Sequence, residues 1–260
     1  MLDVFEKGDH DGGTVNAVYL SVMNRDSIFM GKTLEGMDDL PSGIRLVCCD
    51  SEVLDSDESA FLEMLKELRR TDILLVEFHG DQTHFRKYDR MMEVVEEEGL
   101  DMLYDSSLPE LNEENRHRFR HSDRDYLLVR GFVGIGGADN HRSLMKWLCR
   151  EIAGCDVEVP EVARNRTEGL YHPDLGDMME LDEYLETLDD GRITIGVMMH
   201  QTSWLKDRKG AIDTLIRKLE GMDVNTIPVF FQSSPDEITG SIGVEAVIEK
   251  YFKRDGRPLI

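Results

Sequence analysis

Short runs of β-branched and apolar residues alternate along this chain with longer stretches of helical periodicity, and that alternation is what most narrows its fold. Residues 14–23 (TVNAVYLSVM), Ile44 to Cys49, residues 72–78 (DILLVEF) and Met102 to Tyr104 are each a short apolar run and read as strands. Between them, residues 57–70 (DESAFLEMLKELRR) set Phe61, Leu62, Leu65 and Leu68 at helical spacing, with acids opening the segment and arginines closing it, as the helix dipole favours. Phe85 to Glu98 reads as a second such helix. Strands that alternate with amphipathic helices point to a parallel sheet between helical layers, so an α/β fold is expected.

The same logic extends downstream. Residues 126–132 form another strand candidate, followed by a glycine turn and a helix over 140–152, which would close a flavodoxin- or Rossmann-like module over 1–153. Residues 154–180 hold two of the seven prolines and little periodicity; with a short helix at 182–188 they make a connector over 154–190. A second α/β module is expected over 191–260, with strands at 193–199 (ITIGVMM) and 225–231 (NTIPVFF) and helices at 210–221 and 242–252. Two strands and two helices cannot bury both faces of a parallel sheet, so this second module is expected to be partial.

Charge and cysteine usage exclude several classes. Fifty-three Asp and Glu against 30 Lys and Arg give a formal charge of -23, which repels a phosphate backbone, so nucleic acid is not an expected partner. No window of about 18 apolar residues occurs, so no membrane span is expected. The first residues carry no basic segment followed by an apolar one, which leaves the cytoplasm as the expected location. Cys48, Cys49, Cys149 and Cys155 include no C-x-x-C pair, and they read as reduced core thiols.

Several segments could carry chemistry, each with a structural alternative. Gly131 to Asn140 is glycine-rich and expected between a strand and a helix; Gly136, Gly137 and Asn140 could hold an anion there, or Asp139 or Asn140 could simply cap the helix. His79 and His84 follow the carboxyl end of the third strand, the side of an open parallel sheet where ligands dock, but with Asp81 they make an incomplete metal set. His117 and His121 would share a helix face, crowded by Arg116, Arg118, Arg120 and Arg124, which argues against metal and for a basic surface. His200, Gln201, Thr202 and Trp204 leave the carboxyl end of the strand at 193–199; an imidazole and an indole there could meet a flat ligand, or the indole could be a packing lid. No nucleophile with its base and no metal-ligand motif can be assembled, so neither catalytic nor metal-binding residues are assigned.

Tyr171-His172-Pro173-Asp174, the strand Ile195-Gly196-Val197, the loop from His200 to Trp204, Ala211-Ile212-Asp213 with Leu215-Ile216 and Leu219, and the run from Asn225 to Phe230 together resemble the CobN cobaltochelatase and magnesium chelatase H-subunit family. Gly136-Gly137 with Asn140, Leu144 and Leu148 is similar to an earlier Gly-Gly and Asn-Leu stretch of that family, and Gly80 falls at a family glycine. Gln201 and Thr202 depart from it, standing where the family often has arginine and then serine, which leaves an anion contact at that point open.

The resemblance implies a large subunit that binds a tetrapyrrole, with His200, Gln201, Thr202, Trp204, His172, His79 and His84 as its candidate contacts here, and that works with an AAA+ ATPase pair. Those partners hydrolyse ATP while cobalt or magnesium is inserted; this chain alone would hold no cofactor and would not be an enzyme by itself. Family members are much longer, so the chain is expected to be a split subunit, a degenerate fragment or an excised piece, completed by a downstream-encoded remainder of the large subunit. The alternative is a stand-alone module that binds a corrinoid or other tetrapyrrole.

Overall fold

The structure is a computed structural model that describes residues 2–8, 13–22, 26–177, 180–205, 208–236 and 239–260. The chain forms two compact units, Met1–Ala163 and Arg164–Ile260. Among the described residues, no helix is long and apolar enough to cross a membrane.

The first unit runs β1 (Asp3–Lys7), β2 (Thr14–Ser21), α1 (Asp26–Glu35), β3 (Gly43–Asp50), α2 (Ser51–Ser56), α3 (Glu58–Leu68), β4 (Ile73–Phe78), α4 (Tyr88–Glu98), β5 (Asp101–Ser106), α5 (Pro109–Asn115), α6 (Asp123–Gly134) and α7 (Ala138–Glu151). Its sheet has the order β1-β3-β2-β4-β5, with β1 antiparallel at one edge and the other four strands parallel. The expected α/β class with a parallel sheet holds.

Those four strands are apolar in unbroken runs because both of their faces are buried. Val15, Ala17, Tyr19, Leu46, Ile73 and Leu75 pack with Leu34, Phe132, Leu144 and Leu148 on one side. Val18, Leu20, Val47, Leu74 and Val76 pack with Phe61, Met64, Met91 and Val95 on the other. Side chains alternate across a strand, so the adjacent cysteines part company, Cys48 joining the first layer and Cys49 the second. Burial pushes both thiols far up from their ordinary range, leaving them protonated. Asp57 begins α3 by accepting the N–H groups of Ser59 and Ala60, and Gly99 ends α4 in the left-handed conformation, φ 58°.

Residues 126–132 correct the sequence expectation: they lie within α6 and form no strand. Ser122 caps that helix by accepting the Asp125 N–H, Asp123 and Asp125 fill its first turn, and Tyr126, Val129, Phe132 and Val133 are buried at helical spacing. The glycine-rich stretch therefore joins two helices, where a strand-to-helix turn had been expected. His117 and His121 share no helix face either. His117 lies in a single 3₁₀ turn, Arg116–Arg118, whereas His121 sits beyond it, with Nε2 2.9 Å from Asp101 Oδ2 and its ring edge-on to Trp147.

The second unit comprises β6 (Glu168–His172), β7 (Gly176–Asp177), α8 (Leu181–Leu185), β8 (Thr194–His200), α9 (Gln201–Leu205), α10 (Gly210–Glu220), β9 (Asn225–Phe231) and α11 (Gly243–Phe252). Its strand order is β7-β6-β9-β8, with β8 parallel to β9 and β6 antiparallel to it. The stretch expected as a connector is thus divided. Cys155, Val157, Val159 and Val162 pack against the first unit's core, whereas residues 168–172 supply a central strand of the second sheet. One face of that sheet packs Leu170, Ile227 and Val229 against Tyr184, Val247 and Phe252; the other joins Tyr171, Met199 and Phe230 to Trp204 and Ile212.

Candidate functional site

The Tyr171-His172-Pro173-Asp174 segment ends β6 and turns into β7, and three of its side chains grip α10. The Tyr171 hydroxyl donates to Asp213 Oδ1 at 2.8 Å, His172 Nε2 lies 2.9 Å from Glu220 Oε1, and Arg217 donates to Asp174 Oδ1 at 2.7 Å. Positions 213, 217 and 220 recur at four and three residues, so they share one side of the helix. The Arg217 guanidinium holds the Asp174 carboxyl below its usual range. His172 is buried, and its Nδ1 accepts the N–H groups of Asp174 and Leu175 at 3.1 and 3.2 Å; Nε2 is therefore the protonated nitrogen and donates to Glu220. The compound motif is a clasp that fixes α10 over the β6–β7 turn.

The carboxyl end of β8 is built next to it, and the stretch after His200 that was expected as a loop folds as the short helix α9. His200, the last strand residue, is exposed; its Nδ1 accepts the Thr202 N–H at 3.3 Å and lies 2.9 Å from the Thr202 hydroxyl. Gln201 turns inward, is buried, and donates to the Arg166 carbonyl at 2.6 Å. Trp204 lies flat on Phe230, with ring centroids 4.2 Å apart and 2° between planes, while its indole N–H donates to Asp177 Oδ2 at 2.8 Å. One indole face and the ring nitrogen are thus committed to the fold, and the plane has a fixed orientation.

The other sequence candidates lie in the first unit. His79 and His84 are exposed around Gly80, φ +98°, whose N–H donates to Ser107 Oγ at 2.9 Å. Asp81 caps the intervening 3₁₀ turn through Thr83, and those hydrogen bonds hold its carboxyl below the usual range. Gly136 and Gly137 take φ of 63° and 88° and place Gly137 at the start of α7 without a side-chain cap. Neither Asp139 nor Asn140 caps the helix: the buried Asn140 amide donates to Gly136 O and Ala163 O, at 2.8 and 2.9 Å, and accepts the Ala163 N–H at 2.8 Å.

Sequence reasoning missed a polar row at the carboxyl edge of the first sheet. Ser21 pairs with Glu77 and Glu77 with Asp105 across three adjacent parallel strands, so all three side chains project from the same face. Tyr19 donates its hydroxyl to Glu77, and Arg130 on α6 reaches Asp105 Oδ1 at 2.8 Å. Burial raises the Asp105 carboxyl above its ordinary range despite that guanidinium. The available signal was an acid ending each apolar run, in LLVEF and MLYDS. Among the described residues, no group of three His, Cys, Asp or Glu comes together to hold a metal ion.

The CobN/Magnesium Chelatase family model matches residues 130–260, half of the chain, and these include both the clasp and the β8 loop. The chain belongs to the CobN/magnesium chelatase family. An uncharacterized protein of Methanocaldococcus jannaschii, MJ0908, is 27% identical over 135 residues, which cover 50% of this chain and 11% of that protein. The catalytic subunit of cobaltochelatase from Mycobacterium tuberculosis matches in fold over 85% of this chain and 16% of its own, with a TM-score of 0.50 and 18% identity. This family member therefore spans between a tenth and a sixth of the length of the relatives it matches.

Proposed function

We propose that this CobN-family chain is the α/β portion of a cobaltochelatase-type large subunit and meets the tetrapyrrole at the carboxyl end of β8. The observation that carries this reading is the segment from His200 into α9: an exposed imidazole tied to Thr202, and an indole whose plane is set by Phe230 and Asp177. An oriented aromatic ring offers a macrocycle a stacking surface, and an imidazole at a strand's carboxyl end can face its pyrrole nitrogens or acidic side chains. Metal insertion belongs to the assembly. In this scheme AAA+ ATPase partners hydrolyse ATP, cobalt or magnesium is the substrate inserted, and this chain contributes tetrapyrrole binding or subunit docking without catalysing the reaction alone.

Titration with hydrogenobyrinic acid diamide and with protoporphyrin tests this through tryptophan fluorescence. Trp147 is buried with its N–H on Asp125, and the Trp147→Phe background leaves Trp204 as the reporter. Quenching is expected, with affinity lowered roughly tenfold in His200→Ala, the effect of losing one hydrogen bond of about 1.4 kcal/mol. No quenching by either compound, alone or with the remaining chelatase subunits, overturns the proposal. Tight binding that the ATPase partners leave unchanged would instead favour a stand-alone corrinoid-binding module.

A further inference from the structure

The second sheet ends in an open edge at β8, and the connectivity says what belongs there. Asn225 donates its N–H to Ile193 O at 2.9 Å, so residues 193, 195 and 197 bond toward β9, while the N–H and C=O groups of Thr194, Gly196 and Met198 point outward. No strand among the described residues pairs with that side. An apolar strip runs along the same edge: Ile193 is 75% exposed and Ile195 38%, both on the α10 face of β8. Leu215, 44% exposed, projects from the side of α10 that faces away from the clasp residues Asp213, Arg217 and Glu220, and Met222, 71% exposed, lies in the turn that follows the helix.

The two helices that follow β8 and β9 lie on opposite faces of the sheet, α10 with Tyr171, Met199 and Phe230, α11 with Ile227 and Val229. The α10 crossover carries the chain from β8 to β9. A right-handed crossover through a helix on the other face runs back the opposite way, past β8, to the open edge. Phe252 of α11 already overlies β8: a Cβ on Gly196 would stand 2.9 Å from its ring.

We infer that the open edge of β8 receives a parallel strand from the rest of a chelatase large subunit, in the same chain or in a separate polypeptide. This rests on the reading given under Proposed function. The added strand makes the carboxyl end of β8, and with it His200, the topological switch point of a doubly wound sheet, so that the ligand crevice is complete only when it is in place. Exposed backbone donors, apolar side chains on one face and the small share of its relatives that the chain covers all fit such an occupant.

Amide exchange of the 260-residue chain, followed by NMR with and without the rest of the large subunit and in the absence of tetrapyrrole, tests the assignment. Exchange at Thr194, Gly196 and Met198 is expected to slow at least ~100-fold when that polypeptide is present. The double variant Ile193→Lys/Ile195→Lys is expected to lose at least ~10-fold of that protection while β9 amides exchange as before. Unchanged exchange overturns the proposal, as does a genome with no polypeptide to complete the family subunit. Slow edge amides in an isolated dimer would place a second copy there instead. Protection without tetrapyrrole quenching would keep the docked strand and remove the ligand, and quenching without protection would do the reverse.

Discussion

His172 and Glu220 meet with Nε2 2.9 Å from Oε1, while the opposite ring nitrogen of His172 receives two backbone N–H groups from the turn that follows it. A single buried ring thus joins a turn to a helix 48 positions away in sequence. His172→Ala removes all three contacts, and it is expected to destabilise the second unit by about 2–4 kcal/mol. Urea unfolding followed by Trp204 fluorescence measures this. Asp174→Asn should cost much less, because its pair with Arg217 is solvated.

Asn140 does for the first unit what His172 does for the second. Its side chain is the partner of both the N–H and the C=O of Ala163, at the end of the segment that packs on the core. Asn140→Ala leaves those groups to water or to nothing, with an expected loss of about 2–3 kcal/mol. Limited proteolysis should then cut within 155–163 earlier than in the parent chain.

Glu58 sets a pH dependence. Hydrogen bonds from Arg90 and then Lys87 hold its carboxyl down, to about 2 from an ordinary 4.5. The unfolded chain therefore binds more protons than the folded one between those values, and stability rises with pH across that window. The contribution is complete above pH 4.5 and is lost as pH falls through about 2. Comparing urea midpoints at pH 3 and pH 6 should give a smaller difference for Glu58→Gln than for the parent chain.

The two tryptophans should behave differently toward a neutral quencher. Trp147 is fully buried, with its N–H on Asp125 at 2.9 Å and Phe119 stacked beside it, whereas Trp204 is partly exposed. Acrylamide is expected to quench Trp147→Phe, which keeps Trp204, at least about twofold more steeply than Trp204→Phe.

Sequence periodicity made most of this fold legible because the parallel strands carry unbroken apolar runs and α3 and α4 carry clear amphipathic stripes. It failed at residues 126–132, where exposed Leu127 beside buried Tyr126 and Leu128 filled in the gaps of a helical stripe and mimicked an apolar strand. It also missed β6, only five residues long, whose Gly169 lies against the Phe230 ring and offers no alternation to read. The candidate loop was legible as residues at a strand's carboxyl end. Its internal bonds were not: nothing local pairs Trp204 with Asp177, or Tyr171 with Asp213, because only tertiary packing brings them within reach. The polar row of Ser21, Glu77 and Asp105 depends on strand register, which single strands do not reveal.

Cys48 and Cys49 are one peptide bond apart, yet they are sealed in different layers of the first unit. A thiol-reactive mass tag would reach Cys48 only when the layer of α1, α6 and α7 lifts, and Cys49 only when that of α3 and α4 does. The fragment containing both residues is therefore a two-channel recorder. Singly tagged copies would name the layer that peels first, and doubly tagged copies would count the molecules that opened altogether.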